Sequence, residues 1–235
     1  MAAALKSVSF PKVYAANPQL SHSGRTVQKL FESRGSCKSL ASAPTIGSLA
    51  PPTLPEVLFT GRANAGKSTL IGKILATDGL VNTSKKAGHT RALNFFRVGE
   101  PEGKLVVVDG PGYGLRGRPE WGELFNEYVR TRSTLRRVYV LLNAKNGINQ
   151  DDLGMLRELD GMSQEQQTWT FQVVLTKIDA VPTKSLARQI KEMTEAVWET
   201  APRCQLPWLP TSSSKWERRG IDDMRMSIAR ACGVI

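Results

Sequence analysis

The chain is 235 residues long, 40% hydrophobic and 23% charged, enough for one ordinary folded domain with an extension but not for a second large enzymatic one. No uninterrupted apolar stretch approaches the roughly 20 residues of a membrane-spanning helix, and Cys37, Cys204 and Cys232 are too scattered to suggest a disulfide framework or a zinc site. The net charge of +11 is unevenly placed: residues 1–55 carry +5, and most of the remaining excess lies between 85 and 137, where 11 basic residues face six acids.

The first segment, MAAALKSVSFPKVYAANPQLSHSGR, contains no acid and spaces single cations among Ala, Ser and apolar residues. Such a composition is expected of an organellar transit peptide, although a plain disordered tail would share it. A mitochondrial destination, the matrix, is expected ahead of a chloroplast one. A secretory signal would need a continuous apolar block and a cleavage site that this segment lacks. Residues 1–38 are accordingly expected to form a disordered transit peptide and linker, and residues 39–235 a single folded domain.

From Pro51 onward, short β-branched runs alternate with helix-like segments. The pattern predicts strands at Val57–Thr60, Leu93–Val98, Leu105–Val108, Val138–Leu142, Phe171–Leu175 and Gln205–Leu209. It predicts helices at Lys67–Leu75, Glu120–Arg130, Asp151–Leu159, Lys184–Trp198 and Ile221–Ala231. Strands separated by helices of this length imply right-handed crossovers, hence an α/β three-layer fold with a mostly parallel six-stranded sheet and helices on both faces. Ligands of such sheets bind beyond the carboxyl ends of the strands.

The first of these strands runs directly into GRANAGKST, which fits GxxxxGK(S/T) from Gly61 to Ser68. A loop of this kind wraps backbone N–H groups around phosphates, and glycines stand where a side chain would block the approach. Gly61, Arg62, Ala63, Asn64, Ala65, Gly66, Lys67, Ser68 and Thr69 are therefore candidate nucleotide-binding residues. Lys67 can place a point charge on the β and γ phosphates, and Ser68 can offer a hydroxyl to Mg2+. The helix that begins here aims its positive end at the anion.

Further along, NTSKKAGHTRALNFF offers Thr90 in a polar loop before a strand. Its hydroxyl could complete the Mg2+ shell only while a γ phosphate is present, so losing that contact would release the loop. LVVVDGPG then places Asp109 just past a buried run, where a carboxylate can hold Mg2+ through water. Gly112 can turn its N–H toward the γ phosphate. Ser68, Thr90 and Asp109 are thus the candidate metal ligands.

Guanine presents N1–H and its 2-amino group side by side, and a carboxylate accepts both, whereas adenine has no such donor pair. TKID, at Thr176 to Asp179 after FQVVL, supplies that carboxylate in Asp179 and an aliphatic stem in Lys177 that can lie over the purine. TSSSK follows the last strand; the Ser213 N–H could meet the guanine O6, Ser212 would hold the turn, and Ser214 completes the loop.

Together these motifs resemble the EngB (YihA, YsxC) family of ribosome-assembly GTPases within the P-loop NTPase class. The resemblance runs from about Ser42 to the C-terminus and includes SAPTIGSLAPPTLPEV, GRANAGKSTLI, SKKAGHTRALNFF, VVDGPGYG, LTKID and the closing GID. The insert GRPEWGELFNEYVRTR resembles fungal mitochondrial members more than bacterial ones. The family implies binding to an assembling large ribosomal subunit and its rRNA, here expected to be the mitochondrial one, and the chain is expected to act as a monomeric GTP/GDP switch. The basic residues Lys85, Lys86, Arg91, Arg116, Arg118, Arg130, Arg132, Arg136 and Arg137 agree with an RNA partner, against the plainer reading of a solvated charged face.

Some positions depart from the family pattern: Ala63 and Ala65 stand where Ser and Val are usual, and Asn143 replaces an Asp. GTPases of the Ras type orient the attacking water with a Gln after DxxG, but here that position is Tyr113, so slow intrinsic turnover is expected. Asn64 resembles the asparagine that binds K+ in potassium-activated relatives. The candidate catalytic residues are accordingly Lys67, Thr90, Gly112 and Asn64. The competing expectations are a P-loop ATPase or kinase, for which Asp179 has no purpose, and a GTP-binding assembly factor with negligible hydrolysis.

Overall fold

The computed structural model describes residues 22–49, 51–77, 92–113, 119–213 and 219–235. Seven strands form one sheet: β1 (Cys37–Ala43), β2 (Glu56–Gly61), β3 (Leu93–Val98), β4 (Leu105–Asp109), β5 (Leu135–Asn143), β6 (Thr170–Thr176) and β7 (Gln205–Pro210). Their spatial order is β1-β3-β4-β2-β5-β6-β7. The β4, β2, β5, β6 and β7 strands run parallel, while β3 pairs antiparallel with both β4 and β1. Helices α1 (His22–Glu32), α2 (Lys67–Leu75), α3 (Pro119–Thr131), α4 (Gln150–Gln166), α5 (Thr183–Thr200) and α6 (Ile221–Ala231) cover it.

Alternate residues of the central strands feed two separate cores, the consequence of the two-residue repeat of a strand. Val57, Phe59, Val107, Tyr139 and Leu141 pack under α1, α2 and α6. Leu58, Val106, Val108, Val138, Val140 and Leu142 pack under α3, α4 and α5. Because both faces are covered, the middle strands are apolar almost throughout, which makes them conspicuous in the sequence.

The six predicted strands are all present, and α2 and α6 coincide with their predicted limits. The sheet nevertheless has seven strands, not six. The extra one, β1, is an edge strand of CKSLASA in which only the two end residues are buried, so it lacks the apolar alternation that reveals an inner strand.

The expected boundary at residue 38 also falls inside the folded unit. Helix α1 buries Gly24, Val27 and Phe31, spaced to lie on one helical face. Its last residue, Glu32, meets Nη1 of Arg225 at 2.5 Å; that guanidinium is 1% exposed, lies over the Phe31 ring, and donates from Nε to the carbonyl of Ile74 at 2.9 Å. The apolar positions of α1 are few and sit among transit-like polar residues, so composition concealed a segment that tertiary contacts fix.

On the opposite face of the sheet, Glu56 opens β2 fully buried. Arg132, one residue past α3, grips it with Nη2 on Oε1 at 2.6 Å and Nε on Oε2 at 2.8 Å, and the Tyr128 hydroxyl of α3 donates to Oε2. Burial pushes the Tyr128 phenol well above its ordinary range, with the Glu56 charge adding to the effect, so it remains a donor. This cluster fixes the far end of α3 to the strand that carries the phosphate loop.

Phe31→Ala is expected to destabilise the protein by about 3 kcal/mol, as emptied aromatic core sites do, whereas Leu40→Ala on the exposed face of β1 stays within about 0.5 kcal/mol. Urea unfolding measures both. Equal tolerance of the two substitutions would place α1 outside the cooperative unit.

Candidate functional site

Strand β2 ends at Gly61 and α2 begins at Lys67, so the loop between them caps the middle of the sheet. The turn is made by two left-handed residues, Asn64 at φ 64° and Gly66 at φ 94°. Gly66 is the N-cap of α2 yet brings no side chain to cap it, and the first turn carries no acid. The leading N–H groups of that helix thus have no side-chain acceptor from the cap, the arrangement that receives an anion.

Lys67 is buried, and its Nζ lies 2.6 Å from Oδ1 of Asp109 at the end of β4. The Ser68 hydroxyl donates to the other carboxylate oxygen at 3.2 Å. A cation, a carboxylate and a hydroxyl from two elements therefore meet at the foot of the loop. Hard oxygens of this kind suit Mg2+, which binds through one or two carboxylate or hydroxyl groups together with phosphate and water.

The DxxG segment lies across the phosphate loop. Gly110 donates its N–H to the Phe59 carbonyl at 2.9 Å, and the Thr60 hydroxyl donates to the Pro111 carbonyl at 3.2 Å. Gly112 sits so close that a Cβ there would come within 3.0 Å of the Gly61 carbonyl, so only glycine allows this contact without displacement. Tyr113, in the position that suggested slow turnover, turns its hydroxyl to Oδ1 of Asp152 at 2.9 Å. Burial raises this phenol well above its ordinary pKa, with the Asp152 charge adding to the effect, which keeps the proton on it.

On the other side, β6 delivers Thr176, whose hydroxyl donates to the Ala65 carbonyl at 2.6 Å. Lys177 adopts a left-handed conformation at φ 55°, and its Nζ donates to the Asn64 carbonyl at 2.8 Å. Asp179 stands exposed in the short 3-10 turn Ile178–Ala180 that follows. Thr211 joins this turn to the end of β7, donating its N–H to Leu175 at 2.6 Å and accepting from the Ile178 N–H at 3.4 Å. Ser212 is buried and donates its N–H to the Arg219 carbonyl at 3.0 Å, so it holds the turn beside half-buried Ser213.

The phosphate loop, DxxG, TKID and the Ser-rich loop are thus brought together at one edge of the sheet, with Ala63 half-buried and Thr69 exposed beside Ser68. Thr90 and Ser214 lie outside the described residues, as do Lys85, Lys86, Arg91, Arg116 and Arg118. Of the remaining basic residues, Arg130 and Arg136 are exposed, whereas Arg132 is committed to Glu56 and Arg137 bonds to Thr170 and Gln172. These last two are structural rather than free surface charge.

Two residues acquire roles that the sequence reading did not assign. Asn143 accepts the Lys145 N–H at 3.1 Å through its side chain, closing the turn after β5, a task an amide performs without burying a charge. Asp152 receives Arg62 Nε at 3.0 Å as well as Tyr113. Its signal was present as Asn149-x-x-Asp152, a capping box at the start of α4, in which each side chain accepts the other residue's N–H at 3.0 Å.

Solved structures share this fold. Era in complex with MgGDPNP and a segment of 16S ribosomal RNA aligns with a TM-score of 0.56 at 21% identity, covering 77% of this chain and 57% of Era. Toc33 from Arabidopsis thaliana in complex with Mg2+ and GMPPNP aligns at 0.60 with 12% identity, covering 78% of this chain and 86% of Toc33. The sheet, the phosphate loop and the segments around it are those of a P-loop GTPase.

At the level of sequence, the family model described as 50S ribosome-binding GTPase matches residues 56–196. The probable GTP-binding protein EngB of Rhizobium etli is 34% identical over 206 residues, 83% of this chain and 91% of that protein. Its counterpart in Rhizobium meliloti is 36% identical over 203 residues, 82% and 90% respectively. The chain belongs to the EngB family of GTP-binding proteins, and it is a GTP hydrolase.

Lys67→Ala removes the phosphate-facing cation and leaves Asp109 buried beside no ammonium. Nucleotide affinity is expected to fall by about a hundredfold or more, the scale of a lost charge-assisted contact. Titration with a fluorescent GDP reads the change, and a folded variant of undiminished affinity would remove Lys67 from the site.

Proposed function

We propose that this protein is a GTP-controlled switch in assembly of the large ribosomal subunit, that it acts in the mitochondrial matrix as a monomer, and that the acid-free N-terminal segment directs import. The observation that carries the switch reading is the convergence of Lys67, Asp109 and Gly112 with Lys177 around one loop, Asp179 standing in the short turn that Lys177 caps. The family description supports a ribosomal partner. The compartment rests on the composition of residues 1–25 and on the likeness of the 117–132 insert to fungal mitochondrial members.

In this reading Lys67 and the α2 N-terminus hold the phosphates, and Asp179 selects guanine through two hydrogen bonds. Ser68, Thr90 and Asp109 hold Mg2+, which when bound neutralises charge on the β and γ phosphates. Gly112 and Thr90 sense the third phosphate, and their release after hydrolysis frees the flanking basic loops from RNA. Tyr113 cannot orient water as a Gln would, so turnover is slow until a further charge is supplied.

Asn64 provides one source of that charge. Its backbone carbonyl is engaged by Lys177, and its side-chain amide oxygen would hold K+, which when bound would supply the positive charge that an arginine finger supplies elsewhere. GTP hydrolysis in the presence of ribosomal particles is expected to be at least about tenfold faster in K+ than in Na+, modest beside the effect of an arginine finger. Equal rates in the two salts reject the K+ site.

Tagged protein loaded with a non-hydrolysable GTP analogue is expected to retain large-subunit rRNA from a mitochondrial extract, and protein loaded with GDP to release it. Equal recovery in both states argues against a nucleotide-controlled partner. Asp179→Ala should abolish competition by GDP and gain no competition by ATP; persistence of GDP competition would rule out the assigned base contact.

A further inference from the structure

Segment 110–113 is fastened to segment 59–62 step by step. Gly110 bonds to Phe59, Pro111 to Thr60, and Gly112 rests against the Gly61 carbonyl. The next pair, Tyr113 and Arg62, is joined through a third residue. Tyr113 donates its hydroxyl, and Arg62 its Nε, to the same oxygen, Oδ1 of Asp152, at 2.9 and 3.0 Å.

Asp152 is 0% exposed and is itself held rigidly. Its Oδ2 accepts the Asn149 N–H at 3.0 Å, and its own N–H donates to Asn149 Oδ1 at the same distance, which fixes the carboxylate to the first turn of α4. Arg62 is further tethered through Nη2 to the Gly147 carbonyl at 3.4 Å. A buried carboxylate is unfavourable unless paired and hydrogen-bonded, and here its partners come from the phosphate loop and from DxxG.

We infer that Asp152 is a positioning residue for the third phosphate: by tying Tyr113 to Arg62 it holds Gly112 against the phosphate loop before ligand arrives, and so sets the preference for GTP over GDP. The argument is one of differential contact. A fastening that orders Gly112 strengthens binding only of the ligand that Gly112 touches, and GDP lacks the γ phosphate. A residue serving general stability would instead affect both nucleotides alike. The inference rests on the reading of Gly112 as the γ-phosphate residue, and it concerns the ratio of two affinities rather than the existence of the site.

The test uses the full chain and two variants. Tyr113→Phe removes one hydroxyl and leaves Asp152 paired with Arg62. Asp152→Asn keeps the shape and an oxygen for Tyr113 but removes the charge that Arg62 meets. Dissociation constants for GDP and for a non-hydrolysable GTP analogue are measured in Mg2+, with thermal unfolding as a check on folding.

Tyr113→Phe is expected to lower the GTP-analogue preference by about tenfold, which converts to about 1.4 kcal/mol, while GDP affinity stays within about twofold. Asp152→Asn, which retains the Tyr113 bond, should lower the preference by only about threefold. An unchanged or increased preference in folded Tyr113→Phe overturns the inference, as does an equal weakening of both nucleotides. Loss of GDP binding in Lys67→Ala reports separately on whether the site itself is correctly assigned.

Discussion

The parallel run of β4, β2, β5, β6 and β7 is the constraint from which the site follows. Parallel strands finish on one side of a sheet, so the residues just past their ends are neighbours however far apart they lie in the chain. Asp109 ends β4, Gly61 ends β2, Asn143 ends β5, Thr176 ends β6, and Thr211 follows β7. The bonds among these loops, Lys67 to Asp109, Thr176 to Ala65 and Lys177 to Asn64, then draw them into one surface. Strand β3, which runs opposite to its neighbours, and β1 beyond it extend the sheet on the side away from the TKID and Ser-rich loops.

The parts of that surface are joined in different ways. The phosphate loop and the TKID turn are bound to each other by side chains reaching backbone carbonyls, and both rest on strands buried on two faces. DxxG is attached differently, by the bonds of Asp109 to Lys67 and Ser68, by two backbone carbonyls, by one glycine contact and by the Asp152 carboxylate.

Much of this could be read from the sequence because inner strands and phosphate loops leave strong local signals. Lys67–Leu75 and Ile221–Ala231 begin and end where periodicity predicts, and the order of motifs places Lys67, Asp109 and Asp179 at one edge. The misses share a physical cause. Helix α1 and strand β1 lie at the margin of the domain, where few residues are buried and composition misleads. Asp152 looked like one more acid at a helix start, because only the folded chain brings Arg62 and Tyr113 to it across sequence gaps of 90 and 39 residues. Asn143 was likewise opaque, since its bond to Lys145 depends on the bend that β5 makes on leaving the sheet.

Arg225 has a bearing on the electrical balance of the molecule. Its guanidinium donates to the carbonyls of Ile74 and Lys73 at the rear of α2, the helix whose front follows the phosphate loop. A cation there offsets the negative pole of the helix, while at the positive pole the first turn carries no acid and the nearby Asp109 carboxylate is paired with Lys67. An anion bound at that pole would add a favourable charge to the helix end, and its occupancy would stabilise the folded domain. Through Glu32, the same guanidinium makes helix α1 a structural partner of the helix that follows the phosphate loop.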